Sequence, residues 1–330
     1  MSINGTLKQL SCSVVVCTHD RAVQLEKCLM GLKAQTFPPT EVLVVDNGST
    51  DQRTKEISQR FGARYIWEPK IGLSRARNRG VAESKCEIIA YLDDDAYPHS
   101  DWLQNLIGVF ADSAIMTAGG RTVPPECEPV AQELCALIQG TGSNMESLVV
   151  DKSHPQWLEI TAFGGIGTGM NMAFRRDAFE HVPGFDTRLG LPEAAGEEQF
   201  AVFNLVDQGF KAAYAPGAVV THPTSYTVEG LRRRYFTACS YGTAYILFLL
   251  VNLPQYRSAL LRYLFQASHG VKREWRTGHS GQRVPQERER LKVLLARLKG
   301  VWRFIRARRT QEAIPVPAPA TQVHFAKSSS

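Results

Sequence analysis

Residues 93 to 95 are three consecutive aspartates, and they follow directly on the apolar run Glu87-Ile88-Ile89-Ala90-Tyr91-Leu92. Three like charges at the end of a buried strand are unfavourable unless cations or hydrogen-bond donors compensate them. A divalent ion is one such compensation. Carboxylate oxygens suit hard ions such as Mg2+ or Mn2+, which are usually shared between one or two protein carboxylates and the phosphates of a ligand. The same triplet also suits a solvated turn or the start of a helix. A second group bears on that choice: Gly72 opens the segment GLSRARNRG (72–80), which places Arg75, Arg77 and Arg79 in the first turns of a helix. The free N–H groups of a helix N-terminus and guanidinium donors both attract phosphate or carboxylate. Part of the arginine set would balance the aspartates. The chain has no GxxxxGK[ST] or GxGxxG after its first apolar run, which disfavours a P-loop or a dinucleotide fingerprint.

The elements that must hold these groups follow from hydrophobic pattern. CSVVVC (12–17), EVLVV (41–45), ARYIW (63–67) and EIIAYL (87–92) are short apolar, β-branched runs, and helical patterns over 21–34, 51–60 and 73–84 separate them. Leu25, Cys28, Leu29 and Leu32 share one face of the first helix. This alternation predicts βαβ units and an α/β fold with a parallel sheet. Each strand ends in polar residues: Thr18, His19 and Asp20 after the first, Asp46 and Asn47 after the second, Asp93 to Asp95 after the fourth. Ligands of open α/β sheets bind at the carboxyl ends of strands, so three polar clusters are expected to meet in one crevice. From 100 to 225 the pattern is irregular, with Pro124-Pro125, a glycine-rich run over 164–169, and two short strand candidates at 211–215 and 218–222. Trp67, Trp102 and Trp157 suit either sugar stacking or core packing, core being the plainer reading.

At 330 residues, with 44% hydrophobic and 21% charged residues, the chain can bury a sizeable core without staples. Seven cysteines without a CxxC pair argue against a zinc ribbon and against a secreted disulfide framework. The N-terminal apolar run is too short for a signal peptide, so a cytoplasmic protein is expected. The net charge of +6 is unevenly distributed: residues 1–271 sum to −4, whereas 272–309 carry 13 basic and 3 acidic residues. A basic appendage on a neutral body suits an anionic membrane surface, with nucleic acid the weaker fit. Residues 226–271 read as helical. No formal charge lies between Tyr235 and Tyr256, but Ser240, Gly242, Thr243, Asn252 and Pro254 dilute the run, which favours a buried or interfacial helix over a membrane span. A last helix over 286–309 gathers Leu291, Leu294, Leu298, Val301, Trp302 and Ile305 on one side; packing on the body through that face and binding a membrane surface both remain open. Residues 310–330, with three prolines and three terminal serines, read as a disordered tail.

Taken in order, SVVVCTHDR (13–21), VLVVDNGSTD (42–51), GLSRARNRG (72–80), YLDDDA (91–96), GTGMNMAFRRDAF (167–179), GFD (184–186), GEEQF (196–200) and YAPGAVVTHP (214–223) resemble the family 2 glycosyltransferases of the GT-A fold. The likeness covers about 12–225 and implies a GT-A domain over 1–225, a Rossmann-like, mixed, mostly parallel sheet flanked by helices. A helical, basic extension over 226–309 and the tail over 310–330 follow it. It implies inverting transfer of a sugar, a hexose expected, from a nucleotide-diphosphate donor to a saccharide or lipid-linked acceptor. Polysaccharide or glycolipid synthesis at the inner face of the plasma membrane would be the setting.

By the resemblance, Thr18, Asp20 and Arg21 line the nucleotide pocket and Asp46 accepts a hydrogen bond from the base. Arg77 and Asn78 lie beside the nucleotide. Asp93 contacts the ribose with Asp94 nearby, and Asp95 binds Mg2+ or Mn2+, with His222 as a further contact. Inversion needs a carboxylate to take the acceptor proton. Relatives show Glu-Asp where this chain has Glu197-Glu198, which makes Glu198 the expected base and Glu197 the next choice. Both also suit a helix N-terminus. A sugar nucleotidyltransferase and a non-catalytic membrane-associated module are the alternatives. The first lacks its glycine-rich loop after strand one, where CTHDR stands, and metal-dependent turnover would decide against the second.

Overall fold

The computed structural model describes residues 10–125, 145–189, 196–222, 228–264 and 287–309. In its first part β1 (Cys12–Thr18), α1 (Ala22–Lys33), β2 (Glu41–Asp46), α2 (Arg53–Arg60), β3 (Arg64–Trp67), α3 (Leu73–Glu83) and β4 (Ile88–Asp93) alternate as the apolar runs predict. Successive side chains of a strand point to opposite faces. Val14 and Val16 accordingly pack with Leu25, Leu29 and Leu32 of α1, while Val15 packs on the other face with Leu43 and Tyr91. A sheet buried on both faces is the reason these strands read as continuous apolar runs.

The chain continues through β5 (Tyr97–Pro98), α4 (Trp102–Gly108), β6 (Ile115–Val123), β7 (Leu148–Val150), α5 (Trp157–Ala162), β8 (Asn171–Arg175), α6 (Ala178–His181), α7 (Glu197–Asp207) and β9 (Lys211–Thr221). The nine strands form one sheet in the order β3-β2-β1-β4-β8-β6-β9-β5, with β7 paired to β9. Pairings from β3 through β4, and of β6 with β9, are parallel; β8, β5 and β7 run against their neighbours. The strand order reverses at β1, which has β2 on one side and β4 on the other. This is a switch point of the kind at which α/β sheets open a crevice. Register sets Thr18 beside Asp46 and Cys17 beside Asp93.

The second half is more regular than its sequence suggests. The two short candidates at 211–215 and 218–222 are one strand, β9, whose register jumps from Gly120 opposite Ala215 to Arg121 opposite Val219. Its partner β6 contains Gly119 and Gly120, poor strand residues by propensity. A Cβ on Gly119 would lie 1.8 Å from the Ile166 carbonyl oxygen, so close approach of the 164–169 loop demands glycine there.

Beyond residue 228 come α8 (Val228–Asn252), a turn at Pro254–Tyr256, helical residues 257–264 and α9 (Glu287–Arg309). Tyr245, Phe248 and Leu249 of α8 share a third apolar cluster with Leu158 and Ala162 of α5 and Phe203 of α7. By length and composition Tyr235–Asn252 is long and apolar enough to cross a membrane, and part of it is buried against the body in this way. The face by which α9 packs is not the apolar one, which tells against the first of the two readings left open for it. Gly300 is the buried residue, against Ser240 and Thr243 of α8, and Phe304 joins the third cluster, whereas Leu291, Leu294, Leu298, Val301, Trp302 and Ile305 are exposed. The expected tail over 310–330 lies outside the described residues. Trp102 is a core residue, Trp157 stacks on Phe203, and Trp67 is exposed.

Candidate active site

Loops after β1, β2 and β4 meet at the switch point. Asp20 has a left-handed backbone, φ 53°, and its Oδ1 accepts hydrogen bonds from the Thr50 N–H at 2.7 Å and hydroxyl at 3.0 Å. An aspartate tolerates this conformation better than most residues. The Asp20 N–H donates to Ser49 Oγ, and His19 Nδ1 lies 2.9 Å from the Asn47 carbonyl oxygen. Asn47 in turn donates to the Glu68 and Lys70 carbonyls and accepts from the Gly72 N–H, which ties the end of β2 to the start of α3.

The aspartate triplet is divided among different partners. Thr18 Oγ1 donates to Asp94 Oδ2 at 2.7 Å, and Arg21 donates to Asp94 Oδ1 at 3.2 Å and to Asp95 Oδ2 at 2.7 Å. Nε2 of His222, at the end of β9, lies 3.0 Å from Asp95 Oδ1. Asp93 faces Arg77, with an oxygen-to-nitrogen distance of 3.5 Å. One ligand atom each from Asp93, Asp95 and His222 lies within 4.8 Å of the others, a set that could hold a metal ion. Burial competes with the neighbouring charges and hydrogen bonds at each member of the triplet, and the balance differs between them. Burial raises Asp93 against Arg77, and raises Asp94 to about 6 despite the Thr18 and Arg21 contacts. Burial acts on Asp95 in the same sense, but His222 and Arg21 together hold it below the ordinary carboxylate range.

Four of the expected site residues have well-defined protein partners. Asp46 is fully buried, its Oδ1 accepting from the Ser49 N–H at 2.9 Å and its Oδ2 from the Tyr65 hydroxyl at 3.0 Å, contacts that tie the loop after β2 to β3. Arg77 is buried in an ion pair with Glu197 and lies over the Phe185 ring. Burial opposes its charge, but Glu197 and then Asp93 keep it firmly protonated. Asn78 exchanges both of its amide hydrogen bonds with the Phe185 main chain. These contacts hold both residues in place next to Asp93 and Phe185. Glu197 is 1% exposed, and burial, followed by the charge of Glu198, pushes its carboxyl upward against Arg77.

Glu198 is half-buried and lines a small pocket with Gly164, Ile166, Gly167 and Thr168 of the glycine-rich loop, Gly119 of β6, and Thr161, Gln199 and Val202. Gly196, just before it, has φ 88°, and a Cβ there would meet the Tyr245 ring at 2.4 Å. Tyr245 and Tyr65 were not foreseen as site residues; Tyr245 arrives from an uncharged run whose pattern speaks only of burial. Among described residues, Glu198 and the Asp93 cluster are linked through Arg77, which contacts Glu197 and Asp93 at once.

A family model described as glycosyl transferase family 2 matches residues 13–182. The chain belongs to that family. As a glycosyltransferase it is similar to glycosyltransferase AglE of Haloferax volcanii, at 26% identity over 68% of this chain and 70% of that protein. It is also similar to the O-antigen chain rhamnosyltransferase RfbN of Salmonella typhimurium, at 28% identity over 68% and 70%. Mannosyltransferase PcManGT from Pyrobaculum calidifontis, solved with GDP-Man and Mn2+, superposes with a TM-score of 0.58 over 92% of this chain and 76% of that one, at 17% identity. This family 2 glycosyltransferase therefore has the GT-A fold. Family membership sets aside the nucleotidyltransferase and the non-catalytic module.

Proposed function

We propose that this enzyme is an inverting, metal-assisted glycosyltransferase, moving a hexose from a nucleoside diphosphate to a hydroxyl of a saccharide or lipid-linked acceptor. The observation that carries the reading is the convergence of Asp93, Asp95 and His222 at the switch point, joined through Arg77 to the helix that bears Glu198. Two carboxylates and an imidazole suit Mn2+, and Mg2+ with more water. Such an ion would supply charge neutralisation to the departing diphosphate. The Mn2+ bound to PcManGT and the acceptor named for RfbN support the metal and a polysaccharide product.

In this reading Thr18, Asp20 and Arg21 form the wall against the nucleotide, with Asp46 shaping the loop from beneath. Asp93 reaches the ribose or the metal, Asp95 and His222 the metal, and Asp94 orders Thr18 and Arg21. Glu198 takes the proton of the acceptor hydroxyl as that oxygen bonds to the anomeric carbon. The bond from that carbon to the diphosphate oxygen breaks with its electron pair, and the configuration inverts. Glu197 and Arg77 hold Glu198 in place. The unit over 1–225 performs the chemistry, and 226–309 is the extension that brings it to acceptors at the cytoplasmic face of a membrane.

The test is release of nucleoside diphosphate from UDP-, GDP- and dTDP-sugars, with and without Mn2+ or Mg2+, by the wild type and Glu198→Gln. Selective, metal-dependent release that the substitution abolishes is expected. A fully active Glu198→Gln enzyme would remove the base assignment; release indifferent to metal would remove the metal.

A further inference from the structure

The outward face of α9 carries the longest run of exposed large apolar side chains among the described residues. Leu291, Leu294, Leu295, Leu298, Val301, Trp302 and Ile305 are between 37% and 61% exposed. At about 100° per residue they fall within an arc of roughly 120° centred on Leu298. The opposite side of the helix is the one in contact with the protein: Gly300 lies against the Ser240 carbonyl, Arg303 stacks on the Tyr241 ring at 4.1 Å, and Phe304 enters the third cluster. The stripe is therefore left over after the helix has docked. Arg297, Lys299, Arg306 and Arg308 fall on its two shoulders, and α9 as a whole carries nine basic and two acidic residues. The Arg306 guanidinium lies over the Trp302 ring, 5.3 Å from its centroid.

We propose that this stripe lies in the surface of an anionic lipid bilayer, with α9 parallel to the membrane plane. An apolar arc with cationic shoulders and an indole is the arrangement by which a helix rests at the boundary between headgroups and acyl chains. Charge selects this occupant. A second copy of the chain would bring a net seven positive charges against seven (nine basic less two acidic in each helix), whereas anionic headgroups complement both shoulders. The protein then lies on the membrane and does not span it, because Tyr245, Phe248 and Leu249 of α8 stay in the third cluster, with the Phe248 ring against Phe200 of α7 at 5.0 Å between centroids. The inference deepens the membrane placement proposed above but does not depend on the transfer chemistry.

Full-length protein should co-sediment with phosphatidylcholine vesicles containing phosphatidylglycerol, and much less with phosphatidylcholine alone or at high salt. Leu294→Glu and Leu298→Glu are at exposed positions, and each should weaken binding roughly tenfold with an unchanged melting temperature. Arg297→Gln with Lys299→Gln should weaken it further and flatten the salt dependence. Release of nucleoside diphosphate in the absence of vesicles should be the same in all these variants, so that loss of docking and loss of catalysis are told apart. Vesicle binding indifferent to both leucine substitutions would overturn the proposal. So would a dimer in solution that Leu298→Glu dissociates while vesicles leave the wild type unbound.

Discussion

Glu197 and Glu198 are neighbours in the first turn of α7, yet one turns inward to a buried guanidinium and the other faces the pocket. Their substitutions should therefore fail differently. Glu198→Gln keeps the shape and removes the proton acceptor, so transfer should fall about 10²- to 10⁴-fold with donor affinity unchanged, as calorimetry against turnover will read. Glu197→Gln leaves Arg77 short of a buried partner and should lower stability by about 3 kcal/mol in a denaturant titration. Asp95→Asn removes the carboxylate shared by Arg21 and His222 and should abolish metal-dependent nucleotide release, with more than about a hundredfold loss of metal affinity. The carboxylates themselves were visible in the chain because they stand immediately after an apolar run or ahead of a helix. Which oxygen faces a ligand was not, since that depends on partners more than seventy residues away, as with Thr18 and Asp94.

The elements divide in the same manner. The strands and helices up to Asp93 were legible because a sheet covered on both faces needs unbroken apolar runs and its helices need a 3.6-residue stripe. Strand β6 was not, because its glycines answer to the approach of the 164–169 loop rather than to strand propensity. The same kind of contact joins α8 to the site. Gly196 sits at φ 88° beneath the Tyr245 ring, so Gly196→Ala is strained twice, by its backbone and by the ring. It should displace the start of α7 and lower transfer more than it lowers donor binding. Tyr245→Ala empties a buried site and should cost about 3 to 5 kcal/mol in thermal or chemical unfolding.

Across the whole molecule, α8 shares an apolar cluster with α5 and α7, in which the Phe200 ring lies between Phe203 of α7 and Phe248 of α8. Truncation after residue 225 should accordingly expose that cluster and yield protein that binds hydrophobic dyes and aggregates, while the full chain unfolds in one transition by calorimetry. The sequence by itself determined the alternation of strands and helices, the aspartate triplet and the glutamate pair, and the charge asymmetry, because periodicity and side-chain type are local properties. Tertiary structure alone decided which buried partners Asp46, Arg77 and Asn78 take and that Asp93, Asp95 and His222 converge. It also decided that α9 turns Gly300, Arg303 and Phe304 inward and leaves its leucine stripe outside. Each of these is a matter of which distant surface arrives opposite a residue, and that follows from sheet order and packing rather than from any neighbouring stretch of chain.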